Sequence, residues 1–178
     1  MTVARVSDKE KNIAQDAQQY LAFSLGDEIF ATTLLDVREI IEFGIITKIP
    51  TMPEFIKGVI NLRGRVVPVM DLAVRFGEQS TQINERTCVI IIELNRPDGR
   101  DINMGLVVDS VNAVLKIDPT TIEPAPSFGT HIRLDFIRGM WKWQEKFAIL
   151  LDLEKVLSIE EIKQFVVHLQ ESDAVANG

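Results

Sequence analysis

The chain has 178 residues, of which 46% are hydrophobic and 25% charged, a globular composition with which one domain buries roughly two-thirds of its unfolded surface. Its 26 Asp and Glu against 19 Lys and Arg give a formal net charge of -7, which argues against affinity built on neutralising phosphates or anionic lipid, so no nucleic acid is expected as a partner. The one cysteine, Cys88, cannot close an intramolecular disulfide, and no Cys/His cluster has zinc-ligand spacing; a reducing compartment follows, with no metal and no cofactor expected.

Residues 1–19 are polar and lack the apolar run of a signal peptide, and no apolar stretch approaches the ~18 residues that span a bilayer. The expectation is a cytoplasmic protein without direct membrane insertion. Its parts would be a flexible N-terminal segment over 1–19, a single domain over 20–165, and the end of a helix with a flexible tail over 166–178.

From Tyr20 onward, short apolar runs bounded by turn residues favour strands over long helices. Tyr20–Leu25 and Glu28–Ala31 flank Gly26-Asp27, a compact hairpin signal. Thr33 to Asp36 has capping-box spacing ahead of Val37-Arg-Glu-Ile-Ile41, which predicts a short helix. Gly58-Val-Ile-Asn-Leu-Arg-Gly-Arg-Val-Val-Pro-Val-Met-Asp-Leu72 reads as two apolar strands around a tight turn, with Gly64 where φ must be positive. Pro68 donates nothing to a ladder, so its strand is expected at an edge or bulged there. Asp71 to Phe76 predicts a short helix with Asp71 as N-cap and Gly77 as stop. Thr87–Leu94 and Ile102–Val108 flank the turn-rich loop Asn95–Asp101, a second hairpin. A last helix is expected from the capping box Ser158-Ile-Glu-Glu161.

An internal repeat organises these elements. Phe55–Leu72 aligns without gaps to Phe136–Leu153 at an offset of 81, each copy reading Phe-Ile-(Lys/Arg)-Gly, strand, polar turn, apolar strand, Asp-Leu. Each copy is preceded upstream by one of the two hairpins, so the chain reads as two related halves of about five strands each. Two units are too few for a solenoid; two small barrels packed on each other fit, and closing each sheet removes exposed edges. Gly58 and Gly139 mark a bend or a close backbone approach in each copy.

The residues of an active site are scarce. His131 and His168 each lack a second ligand at useful spacing, and Cys88 opens an Ile/Val run that offers nothing to lower its pKa, so it reads as core filler. The Asn61–Arg65 turn has one glycine and no helix directly after it, unlike a phosphate loop. Asp71 and Asp152 are better explained as a repeated helix cap than as an acid and base. Trp141 and Trp143 share one strand face, for core packing or as an exposed platform.

Arg63 at a hairpin tip is the residue left to explain. Paired with a local carboxylate it contributes about 0 to 1 kcal/mol; desolvated against a partner's carboxylate, its truncation costs about 2 to 5 kcal/mol. Binding is the role in which it matters, with a solvated turn arginine as the alternative.

Gly58–Leu72 closely resembles the signature of CheW-type chemotaxis coupling proteins, as do Tyr20–Glu28, Asp36-Val-Arg-Glu-Ile40, Gly105-Leu-Val-Val-Asp109 and Glu123-Pro-Ala-Pro126, across about Tyr20 to Ile162. The resemblance implies a mainly β fold of two five-stranded SH3-like β-barrel subdomains with short helices and a C-terminal helix. It also implies a non-enzymatic adaptor joining a CheA-type histidine kinase to the cytoplasmic domain of methyl-accepting chemoreceptors, with weak self-association in arrays. Receptor-facing residues carried over by motif are Val37, Glu39, Gly58, Arg63 and Gly105. Val37 and the glycines would let a receptor helix approach, and Glu39 and Arg63 would set its register. The kinase face would lie on strand ends of the first barrel, without residue-level assignment. Kinases controlling pili or gliding are alternative partners, and a small-molecule-binding barrel or a thiol enzyme is the rival class.

Overall fold

The computed structural model describes residues 18–99, 101–126 and 132–158. Among them the strands are β1 (Gln18–Leu25), β2 (Glu28–Thr33), β3 (Val37–Glu42), β4 (Ile56–Leu62), β5 (Arg65–Asp71), β6 (Cys88–Leu94), β7 (Ile102–Val108), β8 (Ser110–Ile117), β9 (Ile137–Trp143) and β10 (Lys146–Leu151). One-turn helices α1 (Leu72–Arg75) and α2 (Leu153–Val156) follow β5 and β10. The helix expected beyond Ser158, His131 and His168 lie outside the described residues.

The repeat is reproduced element by element. β9, β10 and α2 begin at Ile137, Lys146 and Leu153, each displaced by the sequence offset of 81 from Ile56, Arg65 and Leu72. The backbone N–H of Asp71 donates to Phe55 O at 2.7 Å, and that of Asp152 donates to Phe136 O at 2.8 Å. The two-residue turn of the first hairpin also forms as expected: Leu25 pairs with Glu28, and Gly26 takes φ +58°.

What the repeat does not reveal is how the hairpins are shared. Sheet I has the order β3-β6-β7-β5-β4 and sheet II the order β8-β1-β2-β10-β9. The two orders correspond strand for strand, yet sheet I is one continuous stretch of chain, whereas sheet II takes its β1–β2 hairpin from the N-terminal end. The expectation of two consecutive halves is corrected accordingly. The second copy is circularly permuted: β10 pairs in parallel with β2 through Ile149↔Phe30, as β5 does with β7 through Met70↔Leu106.

Each sheet curls until its edges meet. Thr47, just after β3, forms an antiparallel bridge with Val59 of β4, with both N–H···O bonds at 2.9 Å. Glu123, after β8, does the same with Met140 of β9 at 2.8 Å. Closure of this kind satisfies edge groups that would otherwise template aggregation. It also explains Pro68. Both polar groups of Val59 go to Thr47, so its pair with Pro68 is of the non-hydrogen-bonded kind, and pairing of β5 with β7 begins only at Val69. β5 is therefore an inner strand, and the missing N–H falls where no ladder needs it.

Strands buried on both faces read as continuous apolar runs, which is the character of β1 and β6. Tyr20 and Ala22 fill the interior of sheet II with Ala31, Leu115, Ile117 and Leu150. Val89 and Ile91 fill that of sheet I with Val69 and Val107. The alternate residues, Leu21, Phe23 and Leu25 of β1 and Ile90, Ile92 and Leu94 of β6, meet in one core between the sheets. Trp141 and Trp143 pack against the interior of sheet II, and Trp141 Nε1 donates to Thr121 Oγ1 at 3.0 Å, so the tryptophans are barrel packing.

The predicted helix over Val37–Ile41 is a strand. Only Leu34–Asp36 forms a 3-10 turn, in which Thr33 Oγ1 donates to Asp36 Oδ2 at 2.7 Å instead of capping a backbone N–H. A cap contributes about 1 kcal/mol. Pairing the β-branched run along β6 outweighs it, and exposure along β3 alternates residue by residue.

Asp71 caps α1 by accepting from Ala73 N at 3.1 Å, as expected, but it is also fully buried. It accepts from Ser80 Oγ at 3.1 Å, Thr81 N at 2.9 Å and Thr81 Oγ1 at 2.8 Å, and Lys57 Nζ lies 3.6 Å away. Asp152 is partly exposed and accepts from Lys155 N at 3.4 Å. The two positions should therefore differ sharply. Asp71→Ala strands several buried donors and is expected to lower unfolding free energy by about 4 kcal/mol, against about 1 kcal/mol for Asp152→Ala, the loss of a cap. Urea midpoints of the two variants check this; equal losses would show that the buried network adds nothing beyond capping.

Candidate functional site

The β4–β5 turn is set by its own sequence. Leu62 pairs with Arg65, leaving Arg63 and Gly64 as the central residues at φ +53° and +83°, the sign pattern of a type I′ turn. Asn61 Oδ1 accepts from Gly64 N at 2.9 Å. In the second copy Gln144 occupies the same left-handed position at φ +56°. The repeat thus dictates the backbone, and only the first copy places a guanidinium on it.

That guanidinium spans the closing seam of sheet I. Nη1 and Nη2 of Arg63 donate to Oε1 and Oε2 of Glu39 at 2.9 and 3.0 Å, a bidentate pair between the β4–β5 turn and β3. The Arg63 side chain remains 76% exposed against 26% for Glu39, so the pair contributes only about 0 to 1 kcal/mol to the fold. Arg65 beside it is exposed and has no ion pair among the described residues. Glu39 is aimed by a bulge. The β3–β6 register shifts between Val37, opposite Ile92, and Glu39, opposite Ile91, and Arg38 between them forms an ion pair with Glu93.

Val37 is half-buried and packs on the shared core, as Leu34 and Val59 also do and, from strands of sheet II, Val111 and Met140. These residues cover the core from both halves while remaining partly open. Around β3 large aliphatics are left uncovered: Leu35 is 90% exposed, Ile45 93% and Ile40 44%. The sequence reading missed Leu35 and Ile45. Both lie outside β3 (Leu35 in the turn before it and Ile45 after its end), where no periodicity marks a side chain as exposed; Ile40 is turned outward by the alternation of β3 itself.

Gly58 and Gly105 do not stand at this surface. Gly58 is buried at φ +149°, and a Cβ there would lie 2.1 Å from Thr47 O and 2.9 Å from Ile46 Cγ2. Gly105 is buried inside sheet I, where a Cβ would meet Val89 Cγ1 at 2.8 Å and Val69 Cγ2 at 3.3 Å. The space expected for an approaching partner is filled by the chain itself. Gly139 repeats the arrangement, with Ile122 Cγ2 at 2.4 Å and Glu123 O at 2.9 Å from a built Cβ. The structure therefore brings Val37, Glu39 and Arg63 to one seam, with Gly58 beneath as the residue that lets the seam close and Gly105 behind as part of the barrel interior.

Cys88 is half-buried at the start of β6, with Sγ 3.1 Å from Arg86 O, so it is less enclosed than core filler. Among the described residues no group of three or more His, Cys, Asp or Glu is placed to hold a metal. An open cleft of about 870 Å³ lies between the β1–β2 turn and residues 73–86, with Phe30 and Phe76 in its floor and Asp27 and Asp109 at its rim. A smaller hollow of about 410 Å³ opens against Trp143 and Ile29. Neither is enclosed, and Cys88 lines neither. No helix among the described residues is long and apolar enough to cross a membrane.

Comparison with known proteins points one way. The family model described as the CheW-like domain matches residues 19–161. The chemotaxis protein CheW of Klebsiella aerogenes is 39% identical over 145 residues, covering 82% of this chain and 84% of that protein. A probable chemotaxis protein CheW of Rhizobium etli is 32% identical over 151 residues, covering 85% of this chain and 94% of that protein. Among solved structures, the scaffolding protein TtCheW from Thermoanaerobacter tengcongensis superposes with a TM-score of 0.72 at 36% identity, over 82% of this chain and 90% of that one.

Proposed function

Because the chain belongs to the CheW-like domain family, we propose that it is the non-enzymatic adaptor through which a CheA-type histidine kinase is held to the cytoplasmic domain of methyl-accepting chemoreceptors, so that receptor state governs kinase activity. The observation that carries the receptor half of this reading is the seam of sheet I. There an exposed guanidinium is held by Glu39, two residues along β3 from the half-buried Val37, which packs on the core between the sheets. A receptor helix would lay its apolar face along Val37, and its carboxylates would take the donors of Arg63 that Glu39 leaves free. Charge placed in this way fixes register and partner choice more than raw affinity. Gly58 and Gly105 act in this reading by shaping the barrel beneath the contact. The protein would work in the cytoplasm and reach the membrane through the receptor.

The test is co-sedimentation of the full chain with receptor cytoplasmic domain and kinase. Kinase is expected in the pellet only when adaptor and receptor are both present. Failure of the wild-type chain to recruit kinase with chemoreceptors, but success with components of a pilus or gliding pathway, would move the same adaptor chemistry to those partners.

A further inference from the structure

At the junction of the two halves the pseudo-symmetry is broken by one side chain. Phe55 and Phe136 are repeat equivalents, as are Arg75 and Val156. Arg75, the last residue of α1, places its Cζ 5.2 Å from the Phe55 ring centroid and 4.6 Å from that of Phe136. Its Nε donates to Val156 O at 3.0 Å, at the end of α2. One guanidinium thus touches two equivalent rings and a carbonyl at its own equivalent position. Phe136 continues through Phe76, at 5.9 Å, to Phe30, at 5.4 Å, in the shared core. A cation lying against aromatic faces gains more as it is desolvated, and a planar guanidinium stacks where an ammonium cannot.

We infer that Arg75 is the positioning residue that fixes sheet I against sheet II, by holding Phe55, Phe136 and the end of α2 around one guanidinium. Apolar packing alone is adaptable and tolerates sliding between faces. The three-sided contact of Arg75 has one geometry. Burial of this group and the nearby Arg133 lower its pKa while Asp135 opposes them, so the site disfavours the cation electrostatically and the ring and carbonyl contacts must offset that cost. Arg133 lies 4.7 Å from the same Phe136 ring but is 63% exposed and tied to Asp135, so it serves as the control.

Two measurements on the full chain test this without any binding partner. Residual dipolar couplings report the relative orientation of the sheets, and amide exchange reports the hold on α2. In Arg75→Met the couplings of the two sheets are expected to depart from the wild-type orientation. Val156 and Leu157 amides should exchange about tenfold faster or more, with Ile91 and Gly105 amides of the β6–β7 ladder unchanged. Arg133→Ala should match wild type in both. A folded Arg75→Met with wild-type couplings and wild-type α2 exchange would overturn the inference. Should Arg75→Met fail to fold, Arg75→Lys is read in the same way: altered orientation supports the need for the planar guanidinium, and wild-type behaviour overturns it.

Discussion

Arg63→Glu is expected to weaken binding to the receptor cytoplasmic domain by about 30-fold or more, the equivalent of about 2 kcal/mol or more, while unfolding free energy falls by less than about 1 kcal/mol. The asymmetry follows from where the side chain sits. In the free protein Arg63 is three-quarters exposed, and its pair with Glu39 contributes little. In a complex the same charge would be desolvated, and reversing it would set two glutamates against the carboxylates that Arg63 is proposed to meet. Arg63→Gly separates the alternatives further. The residue lies at φ +53°, a conformation that costs an L-residue about 1 to 2 kcal/mol relative to glycine. The glycine variant should thus be as stable as wild type or slightly more so, yet bind weakly. Titration calorimetry beside thermal melts reads both quantities. Wild-type affinity in a folded Arg63→Glu would remove the seam of sheet I from the receptor contact, whatever the family's function.

Gly58→Ala is expected to lower unfolding free energy by about 4 kcal/mol and to abolish receptor binding with it. The added methyl would stand 2.1 Å from Thr47 O and 2.8 Å from Thr47 C. Backbone, unlike a side-chain end, has no alternative rotamer to take. The φ of +149° adds strain of its own. Relief requires moving the Ile46–Thr47 segment away from β4, which breaks the bridge to Val59 and opens the seam across which Arg63 and Glu39 meet. Gly105→Ala is the comparison. Its nearest contacts are methyls of Val89 and Val69, which can shift, so the loss should be about 1 to 2 kcal/mol with binding retained. Urea denaturation ranks the two. A Gly58→Ala protein with wild-type midpoint would mean that the segment after β3 is not held against β4.

Much of this protein was legible in its residues because the deciding interactions are local. Gly26 and Gly64 set tight turns by tolerating positive φ, and Asp71 and Asp152 cap helices within a few residues of themselves. The repeat of Phe55–Leu72 in Phe136–Leu153 carried over into strand starts, turn position and caps alike. Arg63 could be singled out as a binding residue because a cation at a turn contributes so little to the fold by itself.

Only the tertiary structure decided the rest, since β pairing is non-local and a strand's own sequence does not name its neighbour. The apolar alternation of β1 and β2 fits either sheet, and their place beside β8 and β10, which permutes the second copy, depends on contacts with residues a hundred positions away. The capping box before Val37 favoured a helix by about 1 kcal/mol, and pairing with β6 overrode it. From that single reversal come the outward turn of Ile40, the bulge that aims Glu39, and the meeting of Glu39 with Arg63 across the seam. Residue types and their local chemistry determined that a guanidinium would stand at an exposed turn; barrel closure decided what it stands beside, because that closure is made by Thr47 reaching Val59 over a glycine that only the folded chain presses against.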